Sequence, residues 1–217
     1  MSRPTTTRPK HIVFDFGGVL FGWHPPSLMR RELPHLADDD DSAVALAARF
    51  FGSYGGDWSR FDRGELTLPE VTAAITSRTG LALADVQRVV DGVPRELSPI
   101  EATVQWLHRL HADGKDSRRQ LYYLSNMPAP FADQLEREHA FLGCFTTGVF
   151  SGRERVMKPE PAVYELARKR FGQAPADLVF FDDHAANVAA AQAAGWNALL
   201  FTSAAQAEAD LASRGWG

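Results

Sequence analysis

The sequence has a single cysteine, Cys144, among its 217 residues. One thiol excludes an internal disulfide and is too few for a cysteine-rich zinc site. Long apolar runs are also absent, since no stretch approaches the roughly 18 residues that a membrane-spanning helix requires. The first ten residues are polar and basic, and the short apolar run after them does not form a signal peptide. We therefore expect a cytoplasmic protein.

An excess of positive charge is missing as well. The chain carries 23 Lys and Arg against 27 Asp and Glu, a formal net charge of -4. An acidic balance argues against nonspecific attraction to nucleic acid or to anionic membranes. With 45% hydrophobic and 23% charged residues, the composition is that of a globular protein with a buried core. We therefore expect no nucleic-acid or membrane partner, and the oligomeric state is left open.

Short, continuous apolar runs alternate with helical patterns through most of the chain. The runs are HIVFDF, RQLYYLSN, DLVFFDD and NALLFT. Continuous apolarity indicates strands that are covered on both faces, as in parallel sheets. Helical patterns occupy residues 99–113, 130–138, 159–171, 185–194 and 203–213. This alternation predicts an α/β fold built on a doubly wound parallel sheet.

One long segment interrupts the alternation. It has apolar periodicity but no convincing strand, and its periodic pieces are 26–33, 42–52, 68–79 and 83–92. The pattern predicts a helical cap over residues 21–97, inserted after the first strand. Residues 11–20 and 98–217 then form the α/β core, and residues 1–10 a flexible tail. The run DDDD at 38–41 predicts a solvated loop that begins a helix, because adjacent carboxylates repel one another.

Polar side chains follow the apolar runs at four places. In an open parallel sheet, ligands bind beyond the carboxyl ends of the strands, where these side chains would meet. Each has an ordinary structural explanation when taken alone, as a turn residue, a helix cap or an exposed lysine. The four places are Asp15, Ser125 with Asn126, Lys158, and Asp182 with Asp183.

The four groups have complementary chemistry. Two adjacent carboxylates that follow an apolar strand are costly to bury, and Mg²⁺ would remove that cost because it prefers hard oxygen ligands. A lysine is a point charge that can neutralise both a nucleophilic carboxylate and an incoming anion. Asp15 suits the nucleophile, and the backbone N–H groups of residues 16–18 can wrap an anion. A hydroxyl and an N–H at Ser125 and Asn126 can hold a phosphate oxygen.

Together these motifs resemble those of the haloacid dehalogenase superfamily of hydrolases. The corresponding stretches are DFGGVL, LSN, KPEP and FFDDHAAN, and the resemblance runs from His11 to about Thr202. The helical insertion resembles the small helical cap of that superfamily. Within the insertion, FDRGELTLPE resembles a cap element of the sugar-phosphate phosphatase branch, and the first motif resembles that of bacterial glucose-1-phosphate phosphatases.

The resemblance implies a role for each motif. Asp15 becomes the nucleophile that forms an aspartyl-phosphate, and Ser125 and Lys158 hold the phosphoryl group. Mg²⁺ is the implied cofactor, and its implied ligands are Asp15, the Gly17 carbonyl, Asp183, and Asp182 directly or through water. Phosphoryl transfer depends mainly on positioning and charge neutralisation, which a metal ion and a lysine supply.

The first motif departs from the superfamily pattern at Gly17. Most phosphatases of the superfamily have an aspartate there, which protonates the leaving oxygen and then activates water. Such a general acid–base is worth on the order of 10²–10⁴ in rate. The glycine therefore predicts a site that keeps its nucleophile, metal and lysine but lacks its proton shuttle.

Three functions remain open. The first is a Mg²⁺-dependent phosphatase for a small phosphorylated metabolite that needs little acid assistance, such as a sugar 1-phosphate. The second is a haloacid dehalogenase, in which Asp15 attacks carbon and the halide needs no proton. The third is a non-catalytic phosphate-binding or regulatory domain. The pair Asp182-Asp183 favours the phosphatase, because dehalogenation in this superfamily needs no Mg²⁺.

Selectivity is expected to come from the cap and from the loop after the first motif. Trp23, His24 and Trp58 are the candidates for contacts with the organic part of the substrate. Each also has an ordinary explanation, the tryptophans as packing residues of the cap and His24 as a solvated loop residue.

Overall fold

The fold is described by a computed structural model, which covers residues 9–216 and gives residues 115–117 by their backbone alone. Its centre is a parallel sheet of five strands in the order β3-β2-β1-β4-β5. The strands are β1 His11–Phe14, β2 Leu121–Ser125, β3 Thr147–Phe150, β4 Leu178–Asp182 and β5 Asn197–Leu200. The predicted α/β class and doubly wound parallel sheet are confirmed.

Eleven α-helices surround the sheet within the described residues. The first five, between β1 and β2, are α1 Pro25–Glu32, α2 Asp40–Phe51, α3 Asp57–Asp62, α4 Leu68–Thr79 and α5 Leu83–Glu96. The others are α6 Glu101–Ser117, α7 Ala129–Glu138, α8 Ser151–Glu154, α9 Pro161–Phe171, α10 Ala185–Ala193 and α11 Ala204–Ser213. None of these helices is long and apolar enough to cross a membrane.

The element order is the one that a cap inserted after the first strand requires. The division at residues 20/21 and 97/98 itself stays a prediction. Of the predicted tail, residues 1–8 lie outside the described residues, and Lys10 donates its N–H to the Asp177 carbonyl at 2.9 Å. The DDDD loop begins a helix as expected, since Asp39 caps α2 and exchanges hydrogen bonds with Ser42.

The strands are continuously apolar because both faces of the sheet are covered. In β1, Ile12 and Phe14 pack into the cluster that contains α6, whereas Val13 packs into the cluster on α9 and α10. All four residues of β1 and all five of β4 are buried. The result is a helix–sheet–helix arrangement in which the carboxyl edge of the sheet is the natural place for a site.

Strand β3 was not predicted from the sequence. Its segment TGVF contains Gly148, and glycine ordinarily weakens a strand. The structure explains the residue, because a Cβ at Gly148 would overlap the ring of Tyr123 on the neighbouring strand. In the register of β2 and β3, Tyr123 lies directly beside Gly148. Glycine therefore marks a close approach of a large aromatic ring and not a break in the sheet.

Two helices extend beyond the ends that the sequence predicted, and each contains a glycine at the predicted end. Helix α6 continues through Gly114, and α5 continues past Gly92 to Glu96. A Cβ at Gly92 would lie 2.7 Å from Glu32 Oε1, so the glycine lets α1 pack closely against α5. Helix α3 was missed because its six residues are too few to show a helical period.

Aromatic packing joins the helical insertion to the core. Trp58 and Phe61 of α3 lie 6.4 and 5.6 Å, ring centroid to ring centroid, from Phe131 of α7. Trp58 also packs edge-on against Phe51 at 4.8 Å. These contacts hold α3 above the carboxyl edge of the sheet, with a cavity between.

Candidate active site

Polar side chains from three adjacent strands meet at the carboxyl edge of the sheet. Asp15 follows β1, Ser125 ends β2 and Asp182 ends β4. Strand β1 lies between the other two, with Phe14 in register with Tyr123 on one side and Phe181 on the other. The chain runs from β1 to β2 and β3 on one side, then crosses to β4 on the other. This reversal is the switch point at which such sheets bind ligands.

Lys158 is the centre of the site. Its side chain is 1% exposed, and its Nζ lies 2.7 Å from Asp15 Oδ1 and 2.7 Å from Asp182 Oδ2. Burial lowers the pKa of the lysine, but the two carboxylates more than offset this, so the pKa is raised overall. The ammonium group therefore remains charged although it is buried.

The Asn126 side chain holds the loop that carries Lys158. Its Oδ1 accepts the N–H of Lys158 at 2.8 Å, and its Nδ2 donates to the carbonyl of Lys158 at 2.9 Å. Asn126 was predicted to bind substrate. It does line the cavity, but its amide is already committed to positioning the lysine.

Asp182 is saturated with hydrogen bonds. Its side chain is fully buried, and it accepts from Lys158 Nζ, from the N–H of His184 and from Asn187 Nδ2. Burial raises the pKa of this carboxyl, but Lys158 and the other donors outweigh it, so the pKa is lowered overall. Asp182 thus orients Lys158, and neither of its oxygens is free among the described residues.

Asp183 differs from its neighbour. Its Oδ1 is buried and has no hydrogen-bond partner among the described residues. Burial raises the pKa of Asp183, and the carboxylate of Asp182 adds to this. Burial also raises the pKa of Asp15 well above its ordinary value, and the carboxylate of Asp182 adds to this, so the opposing effect of Lys158 is outweighed.

The three carboxylates form a group suited to a divalent cation. Asp15, Asp182 and Asp183 each offer an oxygen, and these oxygens lie within 4.8 Å of one another. One ammonium cannot neutralise three carboxylates, and the unpartnered oxygen of Asp183 leaves a polar atom to be satisfied. Hard oxygen donors and excess negative charge both fit Mg²⁺.

The two glycines after Asp15 serve different purposes. Gly18 has a left-handed φ of 69°, and a Cβ there would lie 2.6 Å from Asp183 Cγ. Gly17 does not have a left-handed φ, and its Cβ would meet Trp23 Cβ at 3.6 Å, an ordinary contact. The backbone at Gly17 thus imposes no conformational need for glycine. Trp23 covers the place where a side chain from this position would lie.

A cavity of about 520 Å³ opens above these groups. The nucleophile candidate Asp15 and Lys158 line its floor, together with Gly17 and Asp183. Its upper wall is mainly apolar and consists of Trp23, Phe51, Trp58, Val93, Leu97, Met127 and Phe131. Polar groups are fewer there, and they include Ser53, Tyr54, Ser59 and Asp62.

Three predicted site residues do not line this cavity. His24 caps α1 instead, since its Nδ1 accepts the N–H of Ser27 at 3.2 Å and contacts Ser27 Oγ at 2.7 Å. Its position gives no support to the predicted substrate contact. Ser125 is 1% exposed at the end of β2, and Asp182 is fully buried in contact with Lys158. Trp23 and Trp58 do line the cavity, and their contact with a substrate stays a prediction.

The sequence analysis missed most of the apolar wall. Phe51 ends α2, Leu97 follows α5, and Phe131 lies in α7, so only the packing of three distant segments brings them together. Asp62 was missed too, although it lies in the FDRGEL stretch that the resemblance singled out. No local pattern distinguishes its carboxyl from that of an exposed aspartate.

Comparison with known proteins gives a consistent result. The model of the haloacid dehalogenase-like hydrolase family matches residues 9–195. The chain is similar to sesquiterpene phosphatase astK from Aspergillus oryzae, with 29% identity over 194 residues, which are 89% of this chain and 90% of that protein.

Solved structures share the fold. The haloacid dehalogenase (HAD) family enzyme bt-2542 from Bacteroides thetaiotaomicron, in complex with magnesium and inorganic phosphate, has a TM-score of 0.70 and 18% identity. The match covers 90% of this chain and 95% of that enzyme. L-2-haloacid dehalogenase from Xanthobacter autotrophicus, with chloropropionic acid covalently bound, has a TM-score of 0.64 and 20% identity, covering 96% and 84% of the two chains.

The two glycines give a matched test of the site geometry. We expect Gly18→Ala to lower the free energy of unfolding by about 1 kcal/mol or more and to weaken Mg²⁺ binding, because its Cβ would displace Asp183. Gly17→Ala should keep both properties near those of the wild type. Chemical denaturation and titration calorimetry with Mg²⁺ measure the two effects. Equal behaviour of the two variants would contradict the geometry.

Proposed function

The chain belongs to the haloacid dehalogenase-like hydrolase family, and from this membership we propose that it is a Mg²⁺-dependent phosphatase acting through Asp15. The observation that carries the proposal is the buried Lys158, which lies 2.7 Å from both Asp15 and Asp182. With a divalent cation to offset the excess negative charge of the three carboxylates, this ammonium would be suited to hold a phosphoryl group. The adjacent, unpartnered oxygen of Asp183 supports a cation at the same place.

Asp15, Asp183 and the carbonyl of Gly17 would hold the metal. Asp182 contributes through its charge, since Lys158 and Asn187 already occupy its oxygens. When bound, Mg²⁺ would supply charge neutralisation for a phosphoryl group and keep the carboxylates ionised.

The residues of the chain itself have distinct tasks. The Asp15 carboxylate attacks phosphorus and forms an acyl phosphate, while the bond to the leaving oxygen breaks. Lys158 neutralises negative charge on the phosphoryl oxygens, and Asp182 with Asn126 keeps the lysine in place. Water then attacks the acyl phosphate, which releases inorganic phosphate and restores Asp15.

The dehalogenase and the binding-domain alternatives receive less support. Dehalogenation in this superfamily needs no Mg²⁺, whereas Asp183 Oδ1 is buried without a partner among the described residues and lies in a group of carboxylates suited to a divalent cation. A domain that only bound phosphate would not need the Asp15 carboxylate beside Lys158, since its negative charge repels an anion.

The cavity wall bears on the substrate. An organic group of the substrate would face mainly aromatic and aliphatic side chains from α2, α3, α5 and α7. A sugar would need several hydrogen-bond partners there, and an apolar group would not. The relative from Aspergillus oryzae is named a sesquiterpene phosphatase, and sesquiterpenes have apolar skeletons of this kind. We therefore propose a small monophosphate with a mainly apolar body, in place of the sugar 1-phosphate expected from the sequence.

The covalent role of Asp15 predicts a specific loss. Asp15→Asn should reduce phosphate release by several orders of magnitude, because removing a covalent nucleophile ordinarily does so. Beryllium trifluoride, which mimics an acyl phosphate, should raise the melting temperature of the wild type and not of the variant. A variant that retains more than about a tenth of the wild-type turnover would rule out the nucleophile role.

The metal role predicts a reversible dependence. EDTA should abolish phosphate release, and added Mg²⁺ should restore it. Asp183→Asn should weaken Mg²⁺ binding at least about 10-fold, as measured by calorimetry, since it removes one charged ligand. Full turnover in EDTA, with halide released from 2-chloropropionate, would instead identify a dehalogenase.

The apolar wall predicts a substrate preference. Farnesyl monophosphate should be hydrolysed with a kcat/KM at least about 10-fold above that of glucose 1-phosphate, because each buried methylene contributes about 0.8 kcal/mol. Phosphate release from both compounds under identical Mg²⁺ concentrations gives the comparison. A preference for the sugar phosphate by the same margin would restore the expectation from the sequence.

A further inference from the structure

The site described above lacks a proton donor for the leaving oxygen. Gly17 has no side chain, and Lys158 is committed to Asp15 and Asp182. The proposed apolar substrates release simple alcohols, which are poor leaving groups and need protonation as the bond breaks. A group elsewhere in the cavity must meet this need if the proposed function is right.

Asp62 is the one acidic residue that the described part of segment 21–97 contributes to the cavity. It is the last residue of α3, and it lines the same cavity as Asp15 and Lys158. No hydrogen bond or ion pair engages its carboxyl among residues 9–216, although its backbone carbonyl is engaged. The carboxyl is therefore free to act on a bound molecule.

The backbone on both sides of Asp62 is fixed to the loops of the core. Its carbonyl accepts a hydrogen bond from Ser151 Oγ at 2.5 Å, and Ser151 Oγ in turn accepts the N–H of Met127 at 2.9 Å. A Cβ at Gly64 would overlap the carbonyl of Gly152, so cap and core backbones touch here. Arg63 forms an ion pair with Glu160, two residues after Lys158. These ties hold Asp62 at a set place relative to the catalytic loops.

The protonation state of Asp62 suits a general acid. Burial raises the pKa of its carboxyl well above the ordinary value. The charged side chains on α3 and on the segments packed against it form ion pairs with one another, so they do not lower the pKa of Asp62 again. These pairs are Asp57 with Arg78, Arg63 with Glu65 and Glu160, Arg153 with Asp133 and Glu136, and Glu154 with Arg170. Asp15, Asp183 and Lys158 line the floor of the cavity.

We propose that Asp62, on helix α3 of the insertion, is the general acid–base of this enzyme and replaces the side chain that Gly17 lacks. The inference rests on the proposed phosphatase function. As Asp15 attacks phosphorus, the bond from phosphorus to the leaving oxygen breaks, and the electron pair stays on that oxygen. The proton of the Asp62 carboxyl moves to it, which yields the alcohol and leaves Asp62 ionised.

The second half of the cycle restores the proton. Asp62, now a carboxylate, accepts a proton from water as the water oxygen attacks the acyl phosphate of Asp15. Inorganic phosphate and the free Asp15 carboxylate are the products, and Asp62 is protonated again. One phosphate ester and one water thus give one alcohol and one phosphate.

The test compares two leaving groups in Asp62→Asn. Formation of the acyl phosphate from hexyl phosphate should slow by about 10² or more, since hexanol must be protonated as it leaves. Formation from p-nitrophenyl phosphate should stay within about 5-fold of the wild type, because p-nitrophenolate leaves without a proton. Rapid mixing should then show a burst of about one nitrophenolate per enzyme, followed by slow turnover as water attack loses its base.

Asp57→Asn is the matched control, because it changes the same residue type on the same helix outside the cavity lining. It should leave both rates within about 2-fold of the wild type. If Asp62→Asn does not fold, Asp62→Ala replaces it as the test variant. Melting curves of all variants show which of them fold.

The outcomes separate the two proposals. Unchanged rates in Asp62→Asn, or equal losses on both esters without a burst, would overturn the acid–base role while leaving the phosphatase function intact. Wild-type protein that releases phosphate from neither ester would overturn both.

Discussion

The ion pairs of Lys158 with Asp15 and Asp182 are the interaction on which the rest of the site depends. All three side chains are almost fully buried, and removing one partner of such a group leaves an uncompensated charge that costs about 3–5 kcal/mol. The free energy lost by removing these charges from water is offset by their hydrogen bonds, because Lys158 contacts two carboxylates and Asp182 also accepts from His184 and Asn187. The arrangement fixes a positive charge next to a carboxylate at the bottom of a cavity.

The helical insertion completes the site from above. Its contacts with the core are of two kinds, the aromatic packing of Trp58 against Phe131 and the polar ties around Ser151 and Glu160. These polar contacts join α3 to Ser151 and to Glu160, which follows Lys158 by two residues. A shift of α3 would therefore displace the loop that carries Lys158. In the proposed function, these few hydrogen bonds would couple phosphate chemistry at Asp15 to selection of the organic group by the apolar wall.

The absence of a side chain at Gly17 has a different meaning once the fold is known. From the sequence, it indicated an incomplete catalytic set with a narrow range of leaving groups. In the structure, Trp23 lies beside Gly17, and Asp62 of α3 lines the same cavity. In the proposed mechanism the leaving oxygen lies on the side of phosphorus opposite Asp15, and the Asp62 carboxyl would act there.

The sequence by itself determined the parallel class of the sheet, four of its five strands, most of the helices and the set of polar residues at the strand ends. It did so because strands buried on both faces are continuously apolar, and because ligands of parallel sheets meet at one edge. Only the tertiary structure decided the tasks of these residues, such as Asn126 holding a lysine loop and His24 capping α1. It also decided the apolar wall and the place of Asp62, because a cavity is formed by segments far apart in the chain, and no local pattern encodes which side chains will face it.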